Sequence, residues 1–130
     1  VIPGLGILPV ETIICDEKIT EQCTFTFNKE LEGLGYEIHM GETISENSSP
    51  LCLINGEKED GYLLDDKTWG TYIHGIFDNK EIINSILAES GQDVVTEMDF
   101  QQFKEEQYDK LADLIRENID MDYIYKSMEK

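Results

Sequence analysis

The pattern of apolar residues changes near residues 78–79, and this change constrains the fold more than any other feature of the sequence. Before that point, β-branched and aromatic residues form short runs separated by turn-forming residues, which is typical of strands. After it, apolar residues recur every three or four positions, which predicts amphipathic helices. A chain of 130 residues is long enough for one compact domain. We therefore expect an α/β protein with a β-rich first part, residues 1–78, followed by C-terminal helices.

Several segments of the first part predict strands. Residues 11–15 are rich in β-branched side chains, and residues 24–27 alternate strictly between polar and aromatic ones. A third short strand over residues 36–40 is expected between turns at Gly33, Gly35 and Gly41.

A hairpin and a buried strand are expected next. Residues 50–54 and 61–64 predict the two arms of the hairpin, with a tight turn at Asn55 and Gly56. Residues 69–77 are mostly apolar and predict a buried strand that runs into a loop.

The helical part divides into three predicted helices. In the first, Ile82 and Ile86 lie on one face, Asp78 or Asn79 is the N-cap, and Gly91 ends the helix. The second begins near Asp99, and its predicted buried stripe consists of Phe103, Tyr108, Leu111, Ala112, Leu114, Ile115 and Ile119. Residues 120–128 predict a short terminal helix.

The charge of the chain narrows the range of partners. Its 28 acidic and 10 basic residues give a formal net charge of -18. Phosphate backbones and anionic membrane surfaces attract positively charged proteins, so we expect neither nucleic acid nor a membrane as partner. No apolar run approaches the roughly 20 residues of a membrane-spanning helix, and no secretory signal is recognisable. The three cysteines have no CxxC spacing, which favours a reducing, cytoplasmic setting over a disulfide framework or a zinc site.

Two histidines, His39 and His74, stand in glycine-flanked apolar contexts. The context of His74, at the end of a predicted buried strand, suits a general base that takes a proton from a thiol or hydroxyl and returns it to a leaving amine. The same pattern also fits a core or turn histidine that binds a backbone carbonyl, and the pattern alone favours that structural interpretation.

The cysteines are poor candidates for a nucleophile. Cys15 lies within a predicted strand, Cys23 follows acidic neighbours, and Cys52 stands between leucines, whereas a nucleophilic thiol needs a small-residue turn at a helix N-terminus.

The acidic runs at residues 57–60, 65–66 and 105–106 lack the spacing of a calcium loop and are interpreted as solvated faces and turns. We expect no metal site. Glu37 and His39, two apart on one predicted strand, face the same side. Mutual orientation for chemistry and a buried structural ion pair or hydrogen bond explain this pattern equally well.

Three motifs stand in order along the chain. They read Gly-Leu-Gly-Ile-Leu-Pro-Val-Glu-Thr at residues 4–12, Gly-Tyr-Glu-Ile-His-Met-Gly-Glu-Thr at 35–43 and Gly-Thr-Tyr-Ile-His-Gly-Ile-Phe-Asp at 70–78. Together they resemble the C-terminal glutamine amidotransferase domain of the cobyric acid synthase family. Residues 108–112 and 119–125 are similar to the closing helices of that domain, so the resemblance covers nearly the whole chain. It implies part of a triad-type class I amidotransferase fold, a three-layer α/β domain.

The resemblance also implies an activity. In that family a nucleophilic Cys attacks the side-chain amide of glutamine, a His acts as acid and base, and the freed ammonia passes to a synthetase domain in the same polypeptide. With ATP and Mg²⁺, that domain amidates carboxylates of a corrin, adenosylcobyrinic acid a,c-diamide, on the route to cobalamin. Glutamine is therefore the substrate expected at this part of the protein, and no cofactor is expected within it.

Residue by residue, His74 matches the catalytic histidine of the family, and this favours the catalytic interpretation. Many class I amidotransferases have a Glu two residues later, whereas this chain has Ile76, as in the cobyric and cobyrinic acid amidase branch that it resembles. Glu37 and His39 match the family's middle motif, for which the expected role is structural or in support of catalytic residues.

The family's nucleophilic Cys precedes the motif at residues 4–12, and none of the three cysteines of this chain matches it. The resemblance therefore implies that residues 1–130 are a single partial domain, without its nucleophile elbow and inactive alone. Unpaired sheet edges and exposed apolar surface then predict self-association. Two alternatives stay open: a related amidotransferase acting on cobyrinic acid or on a cell-wall lipid precursor, and a non-catalytic acidic interaction domain.

Overall fold

The computed structural model describes residues 1–91 and 95–128. These residues form two compact units, Val1–Glu97 and Met98–Lys130. All of the strands described lie in the first unit, together with one α-helix, and the second unit contains the other two α-helices. The predicted mixed α/β class, with its β-rich first part and C-terminal helices, is confirmed.

The first unit is built on a five-stranded antiparallel sheet with the strand order β4-β3-β1-β2-β7, and β5 and β6 form a separate two-stranded sheet. The strands are β1 (Val10–Phe27), β2 (Leu31–Ser45), β3 (Cys52–Ile54), β4 (Lys58–Asp60), β5 (Tyr62–Asp65), β6 (Thr68–Gly70) and β7 (Ile73–His74). A 3-10 turn (Ile76–Asp78) links β7 to helix α1 (Lys80–Glu89).

A long hairpin of β1 and β2 dominates this sheet. The two strands pair from Val10 opposite Ser45 to Phe27 opposite Leu31, with one irregularity between Ile14 and Ile19. The predicted strands at residues 11–15 and 24–27 are thus parts of one strand, and the predicted strand at 36–40 is part of a longer one.

The prediction that glycines end the strand at 36–40 is wrong, because Gly33, Gly35 and Gly41 all lie inside β2. At Gly33, an added β-carbon would lie 2.5 Å from Cζ of Phe25 and 3.0 Å from Cδ1 of Ile82. Glycine at this position therefore leaves room for the Phe25 and Ile82 side chains to pack on the sheet, and it does not reverse the chain.

The turn at Asn55 and Gly56 is confirmed, and both residues have positive φ angles of 50° and 76°, the type I′ combination. The returning arm was predicted wrongly. The partner of β3 is β4, with Ile54 opposite Lys58, and the predicted arm at residues 61–64 belongs mostly to β5, which pairs with β6.

The segment at residues 69–77 is also shorter as a strand than predicted. It contains the end of β6, the two residues of β7 and the start of the 3-10 turn. Ile73 and Ile76 are buried, whereas His74 and Phe77 are exposed. The break follows from Gly75, whose φ of 77° is a left-handed conformation that a continuing strand does not accommodate.

The core lies between one face of the sheet and α1. Its most deeply buried large side chains are Phe25, Leu51 and Ile82. The other buried apolar residues are Cys23, Phe27, Cys52, Ile54, Ile73 and Ile76. The helix begins after Asn79, as predicted, and ends before Gly91, which has a φ of 76°.

The second unit contains α2 (Phe100–Asn118) and α3 (Met121–Met128). Asp99 caps α2 as predicted, since its Oδ1 accepts a 3.0 Å hydrogen bond from the N–H of Gln102. The predicted buried stripe of α2 is wrong: Ala112 is half-buried, and the other predicted members, among them Tyr108 and Leu114, are exposed. Helical periodicity predicts which face is apolar but not what covers it, and α2 has no buried residue. None of the helices in the described part of the chain combines the length and apolar character that crossing a membrane requires.

Candidate active site

His74 lies on the edge strand of the five-stranded sheet. β7 pairs with β2 so that His74 stands opposite Tyr36 and Ile73 stands opposite Glu37. The imidazole is exposed and stacks on the Tyr36 ring, with ring centroids 5.1 Å apart and planes 11° apart. Among the residues that the structure describes, neither ring nitrogen of His74 has a hydrogen-bond partner. Both nitrogens are therefore free to exchange a proton with a group brought from elsewhere.

Gly35 allows the backbone at His74 to approach β2 closely. A β-carbon at Gly35 would lie 2.7 Å from the carbonyl oxygen of His74 and 2.6 Å from Cγ2 of Ile73. Real β-carbons essentially never come this close to other heavy atoms. Glycine at this position therefore fixes how near the histidine stands to the sheet.

Asn79 fastens the turn that follows His74 to the neighbouring strand. Its Oδ1 accepts a 2.9 Å hydrogen bond from the N–H of Leu34, and its Nδ2 lies 3.0 Å from the carbonyl oxygen of Leu34. The same Nδ2 lies 2.9 Å from the carbonyl oxygen of Gly75 and 3.2 Å from that of Ile76. Asn79 occupies the N-cap position of α1, but its side chain makes no helix-capping hydrogen bond. The side chain serves the turn after His74 instead.

Asp60 holds the segment that leads into β7, residues 71–73, through hydrogen bonds. This buried carboxylate accepts hydrogen bonds from the Thr71 hydroxyl and, at 3.2 Å, from the N–H of Tyr72. Thr71 Oγ1 in turn accepts a 3.0 Å hydrogen bond from the N–H of Ile73. The interpretation of residues 57–60 as a solvated face is therefore wrong for Asp60. The local sequence gives no signal of this role, because it depends on the pairing of β3 with β4.

The predicted contact between Glu37 and His39 is present on the opposite, inner face of the sheet. Nε2 of His39 lies 2.9 Å from Oε1 of Glu37, and Nδ1 lies 2.8 Å from the carbonyl oxygen of Gly41. The Tyr72 ring stacks on the imidazole with centroids 4.1 Å apart. Both nitrogens of His39 are thus engaged, and neither is left to act as a base. The two histidines therefore differ in what they are able to do.

Glu37 also binds Lys58, whose Nζ lies 2.8 Å from Oε1 and 3.1 Å from Oε2. The Glu37 carboxylate is buried, and Lys58 is half exposed. Burial alone raises the pKa of Glu37, but the hydrogen bonds from Lys58 and His39 outweigh it, so that its pKa lies below the usual value. The three side chains connect β2 to β4.

None of the cysteines has the surroundings of a nucleophile. Burial, followed by the charges of Glu37 and Asp60, raises the pKa of Cys23. Burial, followed by the charge of Asp60, raises the pKa of Cys52 to about 12. Cys15 is half-buried, and its Sγ lies 3.7 Å from the carbonyl oxygen of Ile13, far along β1 from the β7 end of the sheet. The cysteines therefore do not complete a Cys–His pair with His74.

A concave pocket of about 700 Å³ lies beside the inner-face cluster, and its lining includes His39, Lys58 and Tyr72 but not His74. The exposed imidazole therefore lies outside this concavity. Within the described ranges, no three His, Cys, Asp or Glu side chains converge on a point where a metal ion would bind.

Comparison with known proteins identifies the family. A family model described as the CobB/CobQ-like glutamine amidotransferase domain matches residues 1–82. The chain is 44% identical, over 98% of its length, to the cobyric acid synthase of Parabacteroides distasonis. It is 42% identical, over 99% and 96% of its length, to the cobyric acid synthases of a Thermoanaerobacter species and of Bacteroides fragilis.

The chain spans 27%, 30% and 26% of the lengths of these three curated relatives. No solved structure matches it significantly. The family match covers Tyr36, Glu37, His39 and His74, and thus both histidine clusters. Because this match extends over more than half of the 130 residues, the chain belongs to the CobB/CobQ-like glutamine amidotransferase domain family.

Proposed function

We propose that this chain is the C-terminal part of the glutamine amidotransferase domain of a cobyric acid synthase, and that His74 is the acid and base of its glutamine hydrolysis. The observation that carries the proposal is the state of His74. Its imidazole is exposed, and both ring nitrogens are without a partner among the described residues. His39 does not have this freedom, because both of its nitrogens are bound.

In the proposed reaction, His74 takes the proton from a cysteine thiol, and the thiolate attacks the side-chain amide carbon of glutamine. The same imidazole then gives the proton to the departing nitrogen, which leaves as ammonia. Water next attacks the thioester, and His74 accepts its proton. The carbon–sulfur bond then breaks, glutamate is released, and the proton returns from His74 to the cysteine sulfur. The nucleophile belongs to a segment outside these 130 residues, because Cys23 and Cys52 are buried and Cys15 lies far along β1. These residues alone are therefore inactive in the proposal.

The remaining parts of the proposed activity come from the family resemblance, and the relatives' name, cobyric acid synthase, supports them. In the proposal, the ammonia passes to a synthetase domain of the same polypeptide, which holds ATP, Mg²⁺ and the corrin substrate, adenosylcobyrinic acid a,c-diamide. The present chain contributes His74 and the elements that hold it.

The first experiment measures ammonia release from glutamine by this chain and by the longer protein that includes the proposed nucleophile segment. Activity in the longer protein only is the expected result. Activity of the 130-residue chain would mean that one of its own cysteines is the nucleophile. If the complete protein released no ammonia from glutamine with ATP and corrin present, the proposal would be overturned and a non-catalytic domain would be favoured.

The second experiment compares His74→Ala with His39→Ala in the complete protein. His74→Ala is expected to abolish glutamine-driven amidation, to keep ammonia-driven amidation, and to leave the melting temperature nearly unchanged, because the side chain is exposed. His39→Ala is expected to lower the melting temperature, because it removes a partner of buried Glu37. Glutamine hydrolysis at the normal rate in His74→Ala would remove the catalytic role.

A further inference from the structure

The orientation of the His74 imidazole needs a cause other than a hydrogen bond. In the described part of the chain, no carboxylate, carbonyl or hydroxyl binds either ring nitrogen. An exposed side chain without such a partner rotates between staggered rotamers, whereas an acid and base must hold one nitrogen toward the reacting atoms. A group that fixes the ring without occupying its nitrogens would meet both needs.

We infer that Tyr36 is the positioning residue of His74. The two residues stand directly opposite each other in the pairing of β2 with β7, so their side chains project from the same face of the sheet. Their rings are nearly parallel, with an interplanar angle of 11° and a centroid separation of 5.1 Å. Contact through the ring face restricts the imidazole plane and leaves both nitrogens at its edge open.

The backbone beside the stack keeps the two rings in register. Gly75 has a φ of 77°, and a β-carbon on it would lie 3.7 Å from Cε1 of Tyr36. The tyrosine ring thus extends over both His74 and the turn after it. Asn79 fixes that turn to Leu34, two residues before Tyr36, so the ring and the imidazole are held by the same short stretch of β2.

The other histidine provides an internal comparison. His39 also stacks on a tyrosine, Tyr72, with an interplanar angle of 13°, but it has two hydrogen bonds in addition. For His39 the stack is one of several restraints. For His74 it is the only side-chain contact of this kind among the described residues, so its removal has a larger effect on ring orientation.

This inference rests on the proposed function, and it is tested in the complete protein with glutamine as substrate. Tyr36→Leu removes the ring and keeps apolar bulk, whereas Tyr36→Phe keeps the ring. Tyr123→Leu, at a residue that is 72% exposed in the second unit, is the matched control. The readouts are kcat and KM for glutamine, together with ammonia-driven amidation.

We expect Tyr36→Leu to lower kcat by about two- to tenfold, the range that corresponds to an aromatic pair, with KM unchanged. Tyr36→Phe and Tyr123→Leu are expected to keep the normal kcat, and ammonia-driven amidation is expected to be normal in all three. A normal kcat in Tyr36→Leu would overturn the inference. So would equal damage by Tyr36→Phe, or a loss of ammonia-driven amidation together with glutamine hydrolysis.

His74→Ala, assayed in parallel, distinguishes a failure of the inference about Tyr36 from a failure of the proposed function of His74. If His74→Ala is inactive with glutamine and Tyr36→Leu is normal, the inference fails while the proposed function stands. If His74→Ala is fully active with glutamine, the proposed function fails, and the role of Tyr36 fails with it.

Discussion

The carbonyl oxygen of His74 lies 2.7 Å from the position that a β-carbon would take on Gly35. This relationship joins the middle motif of the sequence to the histidine of the third motif, 39 positions later. It also explains why a glycine stands within a strand, where glycine is ordinarily unfavourable. Because Gly35 has no side chain, the edge strand β7, which bears His74, is able to pair closely with β2.

The first prediction concerns this close approach. Gly35→Ala places a methyl group 2.6 Å from Cγ2 of Ile73 and 3.2 Å from Cε1 of Phe25, so part of the packing has to move. We expect the free energy of unfolding to fall by about 1–3 kcal/mol, and glutamine hydrolysis by the complete protein to fall with it. Urea denaturation measures the first effect. Gly4→Ala is the control, since nothing lies within 4 Å of its added β-carbon; equal stability of the two variants would contradict the packing argument.

The second prediction concerns the dependence of stability on pH. The pKa of Glu37 is lower in the folded protein than its ordinary value of 4.5. Its contribution to stability is therefore complete above pH 4.5 and is lost as the pH falls through the lower, folded-state pKa. The difference in melting temperature between the normal protein and Glu37→Gln should accordingly shrink below pH 4.5.

The variant is necessary as a reference because the chain has a net charge of -18, and acidification also relieves repulsion among its many carboxylates. At pH 7, Glu37→Gln should cost about 1–3 kcal/mol, since Lys58 and His39 lose a charged partner. A difference between the two proteins that is constant from pH 7 to pH 3 would contradict this assignment.

The third prediction concerns thiol reactivity. Cys23 and Cys52 are buried and have raised pKa values, about 12 for Cys52, whereas Cys15 is half-buried. In the folded chain, a thiol reagent at pH 8 should therefore modify Cys15 first, and the other two only after denaturation. Mass spectrometry of the labelled peptides identifies the sites. Cys15→Ser should abolish the rapid labelling; rapid modification of Cys23 or Cys52 in the folded protein would show that the inner face is open.

The fourth prediction concerns self-association of the 130-residue chain. Leu34, Tyr36, Ile38 and Met40 alternate along one face of β2 and are 41–58% exposed, which forms a continuous apolar stripe. The net charge of -18 opposes association at low salt, so the average mass should rise with salt as the repulsion is screened.

Light scattering at two salt concentrations measures this effect. Ile38→Lys places a charge within the stripe and should reduce the average mass at high salt. Glu11→Lys, on β1, is the control, because it is also a single substitution to lysine and changes the net charge by more, but lies outside the stripe. A clean monomer at every concentration and salt level would count against the prediction.

Much of the fold followed from local patterns. The alternating residues near 24–27 predicted a strand, the spacing of Ile82 and Ile86 predicted α1, and Asp99 predicted the start of α2. The order of these predicted strands and helices along the chain in turn predicted the α/β class. These signals are local because they depend on side-chain periodicity and on capping groups a few residues away.

The errors fall where distant segments decide the structure. Gly33, Gly35 and Gly41 were interpreted as turns because glycine permits turns, but Phe25, Ile73 and Tyr72 occupy the space above them. Asp60 was interpreted as solvated, although the strand pairing buries it against Thr71. The arm that pairs with β3 was misplaced because local residues do not determine which strand is the partner.

The candidate site divides in the same way. The sequence by itself determined that His39 and His74 were the residues to compare, that Glu37 and His39 share a face, and that none of the three cysteines suits a nucleophile. Only the tertiary structure decided which histidine is free. His39 is half-buried on the inner face and bound through both nitrogens, whereas His74 lies on the opposite face, stacked on Tyr36. The physical reason is that accessibility and hydrogen bonding depend on which strand pairs with β2, and that pairing joins residues far apart in the chain.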